Sequence, residues 1–103
     1  MRLVIREEAE QDIRAAMTWY AAKRPGLEQE FLGAFDTALV FLLRWPRSAM
    51  RITGDIRSFS LERFPYAVIH AVRKDEFIVI RVYHHRRDPK KMLRRASRRS
   101  SRG

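Results

Sequence analysis

The side chains best suited to chemistry lie in the run Arg81-Val82-Tyr83-His84-His85-Arg86-Arg87-Asp88-Pro89, where a strand pattern gives way to cationic residues. Arginine binds phosphate through paired N–H groups, and histidine or tyrosine can act as a general base. Because neighbouring strand residues point to opposite faces, His84 and His85 cannot bind one metal ion together. The alternation predicts that Ile78, Ile80, Val82 and His84 face the helices and that Val79, Arg81, Tyr83 and His85 line an open sheet face.

An open sheet face that carries Arg, Tyr and His side chains would suit the phosphate backbone of RNA. If the chain is a metal-independent endoribonuclease, its candidate catalytic residues are Arg57, Arg63, Arg81 and His85. The alternative is a polar face without a chemical role, as on the solvated side of many antiparallel sheets. The sequence has no Gly-rich phosphate loop and no convergent metal-ligand spacing, so we expect neither a cofactor nor a metal.

The formal charge is concentrated at the C-terminal end. Residues 86–103 hold nine Lys or Arg and one acid, a net charge of +8, whereas residues 1–85 hold 13 basic and 11 acidic residues, a net charge of +2. Such a segment attracts nucleic acid, an anionic membrane surface or an acidic protein. The alternative is a solvated tail, since blocks of like charge are often disordered. We therefore predict a domain over residues 1–93 and a basic Arg/Ser-rich tail over residues 94–103.

Length and composition narrow the protein class. A chain of 103 residues predicts one domain with a modest core. The absence of cysteine excludes disulfides, Cys-based metal sites and thiol catalysis. No apolar run reaches ten residues, so we expect no signal peptide and no membrane span, and a cytoplasmic location.

Hydrophobic periodicity predicts the elements that position these side chains. Leu3-Val4-Ile5 is a short strand, a helical spacing runs from Glu7 to Pro25-Gly26, and a second apolar stripe runs from Leu27 to Trp45 and stops at Pro46. We interpret the acids of the first helix, Glu7, Glu8, Glu10 and Asp12, as capping and solvating residues. Three strands follow, at Ile56–Leu61, Tyr66–Val72 and Phe77–Tyr83. The order β-α-α-β-β-β predicts an α+β domain with an antiparallel helical hairpin packed on a mostly antiparallel sheet.

Several motifs, in order, resemble those of RelE/ParE-type toxins. The hairpin motifs are Glu7-Glu8-Ala9-Glu10-Gln11-Asp12-Ile13, Trp19-Tyr20, Pro25-Gly26-Leu27, Phe31 and Trp45-Pro46. The sheet motifs, which resemble the ParE-like branch, are Arg63-Phe64-Pro65-Tyr66-Ala67-Val68 and Ile80-Arg81-Val82-Tyr83-His84-His85-Arg86-Arg87-Asp88-Pro89. The resemblance covers about residues 1–93.

The resemblance implies the toxin of a type II toxin–antitoxin pair, of the kind linked to plasmid stabilisation. An acidic, ParD-like antitoxin would form a hetero-oligomer with it and contact Trp19, Phe31, Phe35, Phe64 and Tyr66. ParE-like members inhibit DNA gyrase, and the target-binding residues would then be Tyr83, His85, Arg86, Arg87, Lys90, Lys91, Arg94 and Arg95.

Two alternatives stay open at this point. RelE-like members cleave mRNA on the ribosome with sheet Lys and Arg residues and a late Tyr or His. The present chain has no Tyr after Tyr83 and no Lys in its last three predicted strands, which favours the ParE-like function. A further alternative is a non-toxic relic that binds nucleic acid through its basic tail.

Overall fold

Within residues 1–86 the chain forms two helices and five strands. The computed structural model describes residues 1–86, so the predicted boundary at residue 93 and the tail lie outside the described residues. The elements are β1 (Arg2–Ile5), α1 (Glu7–Lys23), α2 (Leu27–Arg44), β2 (Met50–Thr53), β3 (Ile56–Ser60), β4 (Tyr66–Arg73) and β5 (Glu76–His84). Within this part of the chain, neither helix has the length and hydrophobicity needed to cross a bilayer. The predicted α+β class with a helical hairpin is confirmed.

The helical hairpin follows from local signals in the sequence. The first turn of α1 carries Glu7, Glu8 and Glu10, whose charges interact favourably with the helix dipole. Between the helices Gly26 has φ +91°, a left-handed conformation that glycine adopts without a Cβ clash. The N–H of Leu27 donates to the carbonyl of Arg24 at 3.0 Å and closes the turn. Pro46 stands just beyond α2 and cannot continue its hydrogen bonds.

The sheet has the strand order β1-β5-β4-β3-β2. Neighbouring strands are antiparallel except β1 and β5, which run parallel with Leu3 opposite Phe77. The pairing of β1 covers only the stretch of β5 from Glu76 to Val79. The C-terminal half of β5 therefore extends past the end of β1.

The sheet contains one strand more than the sequence predicted. β2 pairs with β3 across a turn at Gly54 and Asp55, and it forms the edge of the described sheet. Only Ile52 of this short strand packs against an apolar cluster, so the strand lacks the alternation that predicts burial. The Gly-Asp pair between Ile52 and Ile56 was the signal that could have found it.

Aromatic rings attach the hairpin to the sheet. The ring of Phe31 on α2 lies 5.5 Å from Tyr20 of α1, 5.5 Å from Phe64 and 5.2 Å from Tyr66 of β4, measured between centroids. Tyr20 also meets Phe64 edge-on at 5.1 Å. Burial raises the pKa of the Tyr20 hydroxyl, so it is neutral in the fold. Further along α2 the buried side chains are Phe35, Ala38, Leu39 and Leu42.

A β-bulge in β5 corrects the predicted faces of that strand. Ile69 pairs with Arg81 and the next residue of β4 pairs with Val79, so Ile80 is an extra residue. Before the bulge Phe77 and Val79 pack in the cluster under the helices, and after it Val82 does so. Ile78 and Ile80 were predicted to face the helices and instead lie on the opposite face. Val79 was predicted to lie on the open face and instead packs under the helices.

The face opposite the helices is mainly apolar rather than basic. Its buried side chains are Ala67, Ile69, Ala71, Ile78 and Ile80, with Val4, Ile52, Ile56 and Tyr83 packed beside them. The predicted open face lined by Arg, Tyr and His is therefore wrong for most of this surface and for Val79. Tyr83 lies on it as predicted, Arg81 pairs with Ile69 of the same face, and Nε2 of His85 lies 3.3 Å from the hydroxyl of Ser60, which pairs with Ala67 of that face. The alternation alone failed because one inserted residue puts the side chains on its two sides out of phase, so residues 78–80 lie on the faces opposite to those predicted.

His70 is a titratable side chain buried in the core under the helices. Its Nδ1 lies 2.9 Å from the carbonyl oxygen of Val68, and its ring stacks on Phe77 at 4.8 Å. Nε2 has no hydrogen-bond partner among the described residues. Burial, with the nearby charge of Arg57, lowers the pKa of His70 below its ordinary value. The imidazole is therefore neutral in the folded protein at neutral pH.

We predict that His70 makes the fold sensitive to mild acid. Because its folded pKa lies below its unfolded pKa of about 6.5, its contribution is complete above that pH. The free energy of unfolding should fall as the pH drops from about 6.5 towards the folded pKa, by about 1.4 kcal/mol per unit of pKa difference. Urea unfolding at intervals between pH 7.5 and 5 measures this slope.

Two variants test the assignment to His70. His70→Phe should flatten the slope, because an aromatic ring remains against Phe77 and no proton binds. His85→Gln is the control, since His85 is exposed, and it should keep the wild-type slope. Equal loss of stability in wild type and His70→Phe over this pH range would contradict the prediction.

Candidate partner-binding site

A carboxylate of α1 holds the end of β5. Beyond Val79 the strand has no β1 residue beside it, and Asp12 occupies this position. One oxygen of Asp12 accepts from the backbone N–H of Val82 at 3.0 Å and from Nε of Arg81 at 2.7 Å. The other oxygen accepts from Nη2 of Arg81 at 2.9 Å. Three hydrogen bonds therefore join the second turn of α1 to β5.

The Asp12–Arg81 ion pair is largely withdrawn from water. Only 12% of the Asp12 side chain and 25% of the Arg81 side chain are exposed. The hydrogen bond from the guanidinium to Asp12 raises the pKa of Arg81, which stays charged. The paired N–H groups that would grip a phosphate already bind the carboxylate. Arg81 thus serves as a structural cation in this fold.

His84 and Arg86 shape the surface next to this ion pair. The ring of His84 packs edge-on against Tyr66 at 5.0 Å, on the side of the helices as predicted. Its Nδ1 accepts a hydrogen bond from the backbone N–H of Arg86 at 3.0 Å. A nitrogen that accepts carries no proton, so Nδ1 is the unprotonated nitrogen in this arrangement.

A cleft of about 430 Å³ opens between α1 and the ends of β4 and β5. Its walls are Asp12, Ala15, Ala16, Trp19, Tyr20, Tyr66, Val82, His84 and Arg86, and we call it the Trp19 cleft. Trp19 is 57% exposed, and the ammonium of Lys23 lies 4.1 Å from its ring centroid. An apolar floor beside charged groups can bind an amphipathic protein segment. Within residues 1–86 no cluster of three His, Asp or Glu side chains suits a metal ion.

The predicted target-binding residues fall partly within the structure. Tyr83 lies on the apolar face of the sheet, 5.5 Å from the guanidinium of Arg81. His85 and Arg86 are exposed in the turn that follows β5. Nε2 of His85 lies 3.3 Å from the hydroxyl of Ser60, and its backbone N–H donates to the carbonyl of Pro65. The remaining predicted residues lie outside the described residues: Arg87, Lys90, Lys91, Arg94 and Arg95.

The structure does not gather the candidate ribonuclease residues on one face. Arg57 lies beside His70 under the helices and donates to the carbonyl of Ala49 at 2.7 Å. Arg63 has φ +70° in the loop before β4 and donates to Glu30 of α2 at 2.7 Å. The guanidinium of Arg63, followed by that of Arg24, lowers the pKa of Glu30.

The predicted antitoxin-binding residues divide into core and surface. Phe31, Phe35 and Phe64 are buried in the cluster that joins the hairpin to the sheet, so a partner cannot reach them in this conformation. Trp19 is exposed and Tyr66 is half-buried, and both line the Trp19 cleft. These two residues are the part of the prediction that the structure leaves available to a partner.

Asp12 is the functional residue that sequence reasoning missed. It was interpreted as a capping or solvating acid, and it is instead a half-buried anchor of β5. The available signal was its position three residues after Ala9 and four before Ala16, both of which are buried. An acid on the buried side of a helix requires a cationic or N–H partner.

Comparison with known proteins identifies this arrangement of hairpin and sheet. Residues 3–89 match the family model described as the ParE toxin of the type II toxin–antitoxin system parDE. The chain belongs to the ParE toxin family. The family predicted from the hairpin and sheet motifs is therefore confirmed, over nearly the same residues of this ParE toxin.

A solved structure described as the chromosomal ParDE TA system from P. aeruginosa has the same fold as this ParE toxin. The alignment has a TM-score of 0.73 and 20% sequence identity, and it covers 82% of this chain and 95% of that chain. At this identity the likeness concerns the fold alone. A comparison with curated proteins found no match.

We predict that removing one partner of the Asp12–Arg81 pair destabilises this ParE toxin strongly. Asp12→Ala leaves a half-buried guanidinium and the N–H of Val82 without their acceptor, and it should cost about 3 kcal/mol. The double variant Asp12→Ala/Arg81→Ala should cost less than the sum of the two single variants, because it leaves no unpaired charge. Urea unfolding of the four proteins at pH 7 measures the coupling.

The Arg73–Asp55 pair provides the matched control. It is also bidentate, but both side chains are more than 40% exposed. Asp55→Ala should therefore cost only about 0.2–1 kcal/mol. Additive single-variant costs for Asp12 and Arg81 would show that the pair does not act as a unit.

Proposed function

We propose that this ParE toxin stops DNA replication by binding DNA gyrase, and that an acidic, ParD-like antitoxin neutralises it by covering the Trp19 cleft. The toxin would act without catalysing a reaction and in the cytoplasm, where gyrase works. The single observation that carries the proposal is the Asp12–Arg81 pair. An RNA-cleaving site would need Arg81 to bind phosphate, but its guanidinium already binds Asp12.

The other candidate ribonuclease residues add to this argument. Cleavage of RNA without a metal needs a general base beside the 2′-hydroxyl and cations around the phosphate. Arg57 and Arg63 donate to Ala49 and Glu30 on the helical side of the sheet, whereas His85 lies in the turn after β5. A binding function does not require these side chains to converge.

Charge supports a docking role for the chain after β5. Arg86 is exposed at the start of a segment in which residues 86–103 carry a net charge of +8. Cations at a rim mainly raise the association rate with an acidic partner. The backbone N–H of His85 donates to the carbonyl of Pro65 at 2.8 Å, which fixes the turn that carries Arg86.

We predict dose-dependent inhibition of gyrase in a purified supercoiling assay. Neutralising Arg86, Arg87 and Lys90 together to Gln should raise the inhibitory concentration about tenfold or more, since it removes three cations from the docking segment. The control neutralises Arg2, Arg14 and Lys74, which are exposed on the folded domain, and should leave inhibition unchanged.

The competing function is tested with translating ribosomes and a defined mRNA. Under the gyrase proposal the transcript stays intact on primer extension. Cut mRNA together with full gyrase activity at a large molar excess of toxin would refute the proposal and favour an RelE-like mRNA interferase. Intact mRNA with full gyrase activity would favour the non-toxic, nucleic-acid-binding alternative.

Antitoxin binding is proposed to centre on Trp19. An exposed tryptophan beside a cleft of this size is typical of an interface hot spot. Acidic residues of the antitoxin would meet Lys23 and Arg86 at the rim, which are free of ion pairs among the described residues. The antitoxin segment would be disordered alone and would fold on the cleft.

We predict that Trp19→Ala weakens antitoxin binding about 30-fold, the effect of losing about 2 kcal/mol at a hot spot. Isothermal titration calorimetry of the folded variants measures it. Leu3→Ala is the control, because Leu3 is also exposed but lies on β1, outside the cleft. Unchanged affinity in Trp19→Ala would place the antitoxin elsewhere.

A further inference from the structure

The turn between α2 and β2 carries cations around an exposed tryptophan. Trp45 stands at the C-terminus of α2 and is 54% exposed, and the guanidinium of Arg44 lies 5.6 Å from its ring centroid. The carbonyl of Trp45 accepts from the hydroxyl of Ser48 at 2.7 Å and from the backbone N–H of Ser48 at 3.1 Å, which closes the turn. Arg47 is exposed within the turn. The turn therefore presents an indole ring together with two arginines.

Two further arginines lie side by side on the strands next to this turn. Arg51 of β2 is directly opposite Arg57 of β3, and Arg57 is opposite His70 of β4. Residues directly opposite in an antiparallel pair point to the same face, so both arginines lie on the side of the sheet that carries the helices. Nη1 of Arg57 donates to the carbonyl of Ala49 at 2.7 Å, which joins this pair to the turn. We use the name Trp45 surface for Arg44, Trp45, Arg47, Arg51 and Arg57.

The cations of the Trp45 surface have no anionic partner in the described part of the chain. Residues 37–54 contain no acid, and both carboxylate oxygens of the next acid, Asp55, are bound to Arg73. None of the four arginines forms an ion pair within residues 1–86, whereas the following do: Arg2, Arg14, Arg24, Arg63, Arg73 and Arg81. Like charges directly opposite on two strands destabilise the pair. An anion between Arg51 and Arg57 would remove this repulsion.

The guanidinium groups and the indole ring suit two parts of one ligand. Arginine binds phosphate through paired N–H groups, and an exposed aromatic ring stacks on a nucleobase. A single strand offers both groups, because its bases are free to stack on a side chain, whereas the bases of a duplex stack on one another. An acidic peptide would engage the cations and leave the ring without a flat partner. The surface therefore fits single-stranded nucleic acid best.

Acidic residues limit the direction in which such a strand can run. Glu30 and Glu62 line the groove between α2 and β3, on the N-terminal side of Arg44 along the helix. A polyanion is repelled there, so it would cross the turn and β2 instead of following α2.

We propose that the Trp45 surface binds single-stranded nucleic acid, with a phosphate between Arg51 and Arg57 and a base stacked on Trp45. Arg44 and Arg47 would neutralise neighbouring phosphates. The surface shares no residue with the Trp19 cleft, so both can be occupied at once. It belongs to the folded domain and is distinct from the basic C-terminal segment. Neither the gyrase function nor the antitoxin site is required for this binding.

The two tryptophans of the chain allow the bound base to be located. In full-length Trp19→Phe the indole of Trp45 is the one that remains, and an oligo-dT of about 12 nucleotides should quench its emission saturably. In Trp45→Phe the indole of Trp19 remains, and its emission should stay unchanged. An oligo-U of the same length distinguishes RNA from DNA as the source of the strand, and saturable quenching by either one supports the site.

Fluorescence anisotropy of labelled oligo-dT measures the contribution of stacking. Trp45→Ala should weaken binding about tenfold or more, the effect of losing one stacked base. Trp19→Ala is the matched control, because Trp19 is equally exposed at 57% but lies on α1, and it should change the affinity less than twofold. Antitoxin binding is expected to show the reverse order of effects. Failure of the antitoxin proposal therefore leaves this comparison unaffected.

Salt dependence measures the contribution of the arginines. Each phosphate contact on a single strand contributes about 0.7 to the slope of log K against log salt. Three variants changed together to Gln should therefore lower the slope by about 2: Arg44, Arg47 and Arg51. Arg57 is kept, because it holds the carbonyl of Ala49.

Two control proteins separate this surface from the rest of the positive charge. The first changes three exposed cations elsewhere on the domain to Gln and should keep the wild-type slope: Arg2, Arg14 and Lys23. The second changes three cations of the C-terminal segment to Gln in the Trp19→Phe background and should keep the quenching of Trp45 at saturation: Arg94, Arg95 and Arg98. Circular dichroism verifies that each variant is folded.

Three results would overturn the proposal. One is unchanged affinity in Trp45→Ala, which would place the strand on the C-terminal segment. Another is tighter binding of a duplex of the same length with no dependence on Trp45. The third is poly-glutamate that quenches Trp45 and displaces oligo-dT at equal charge concentration, which would make the surface a site for an acidic protein.

Discussion

Each helix of the hairpin has one apolar face, and neither can bury that face without the sheet. Contacts among four aromatic rings attach both helices to the sheet. The rings belong to α1, α2, the loop before β4 and β4 itself, and they are Tyr20, Phe31, Phe64 and Tyr66. Rings in edge-to-face contact add about 0.5–1.5 kcal/mol per pair beyond the area they bury. The distance of α1 from β5, and hence the width of the Trp19 cleft, depends on this packing.

Once the hairpin is seated, Asp12 can complete the edge of β5. A strand that extends past its neighbour leaves N–H groups to be satisfied, and a carboxylate is a good acceptor for both an N–H and a guanidinium. The same contact decides what Arg81 can do. Its guanidinium contributes to the stability of the fold, and the N–H groups that bind Asp12 are not available to a phosphate. Structure and proposed function are therefore linked through one ion pair.

The surface of this ParE toxin offers two concave regions on different sides of the hairpin. The Trp19 cleft is bordered by the end of β5 and by Arg86, whereas a groove of about 580 Å³ between α2 and β3 is lined by Phe41 and Phe59 and by the charged residues Glu30, Glu62 and Arg63.

The sequence alone determined the order of the helices, the turn between them and most of the sheet. These features are local: glutamates begin α1, Gly26 provides the left-handed turn and Pro46 follows α2. The family was also readable from motifs along nearly the whole chain. The short strand β2 was not predicted, because an edge strand with one packed side chain has almost no hydrophobic pattern.

Only the tertiary structure decided which side chains are available to a partner. The bulge at Ile80 changes which face each side chain of β5 occupies. No residue pattern predicts such an inserted residue, because contacts with other elements stabilise it. Helical spacing likewise grouped Trp45 with Phe31 and Phe35, although Trp45 lies beyond the end of the sheet contact and is exposed. The role of Asp12 depends on where β1 stops relative to β5, a distance between segments about 70 residues apart in the chain. Periodicity assigns a side chain to a face, but burial depends on what the rest of the chain brings to that face.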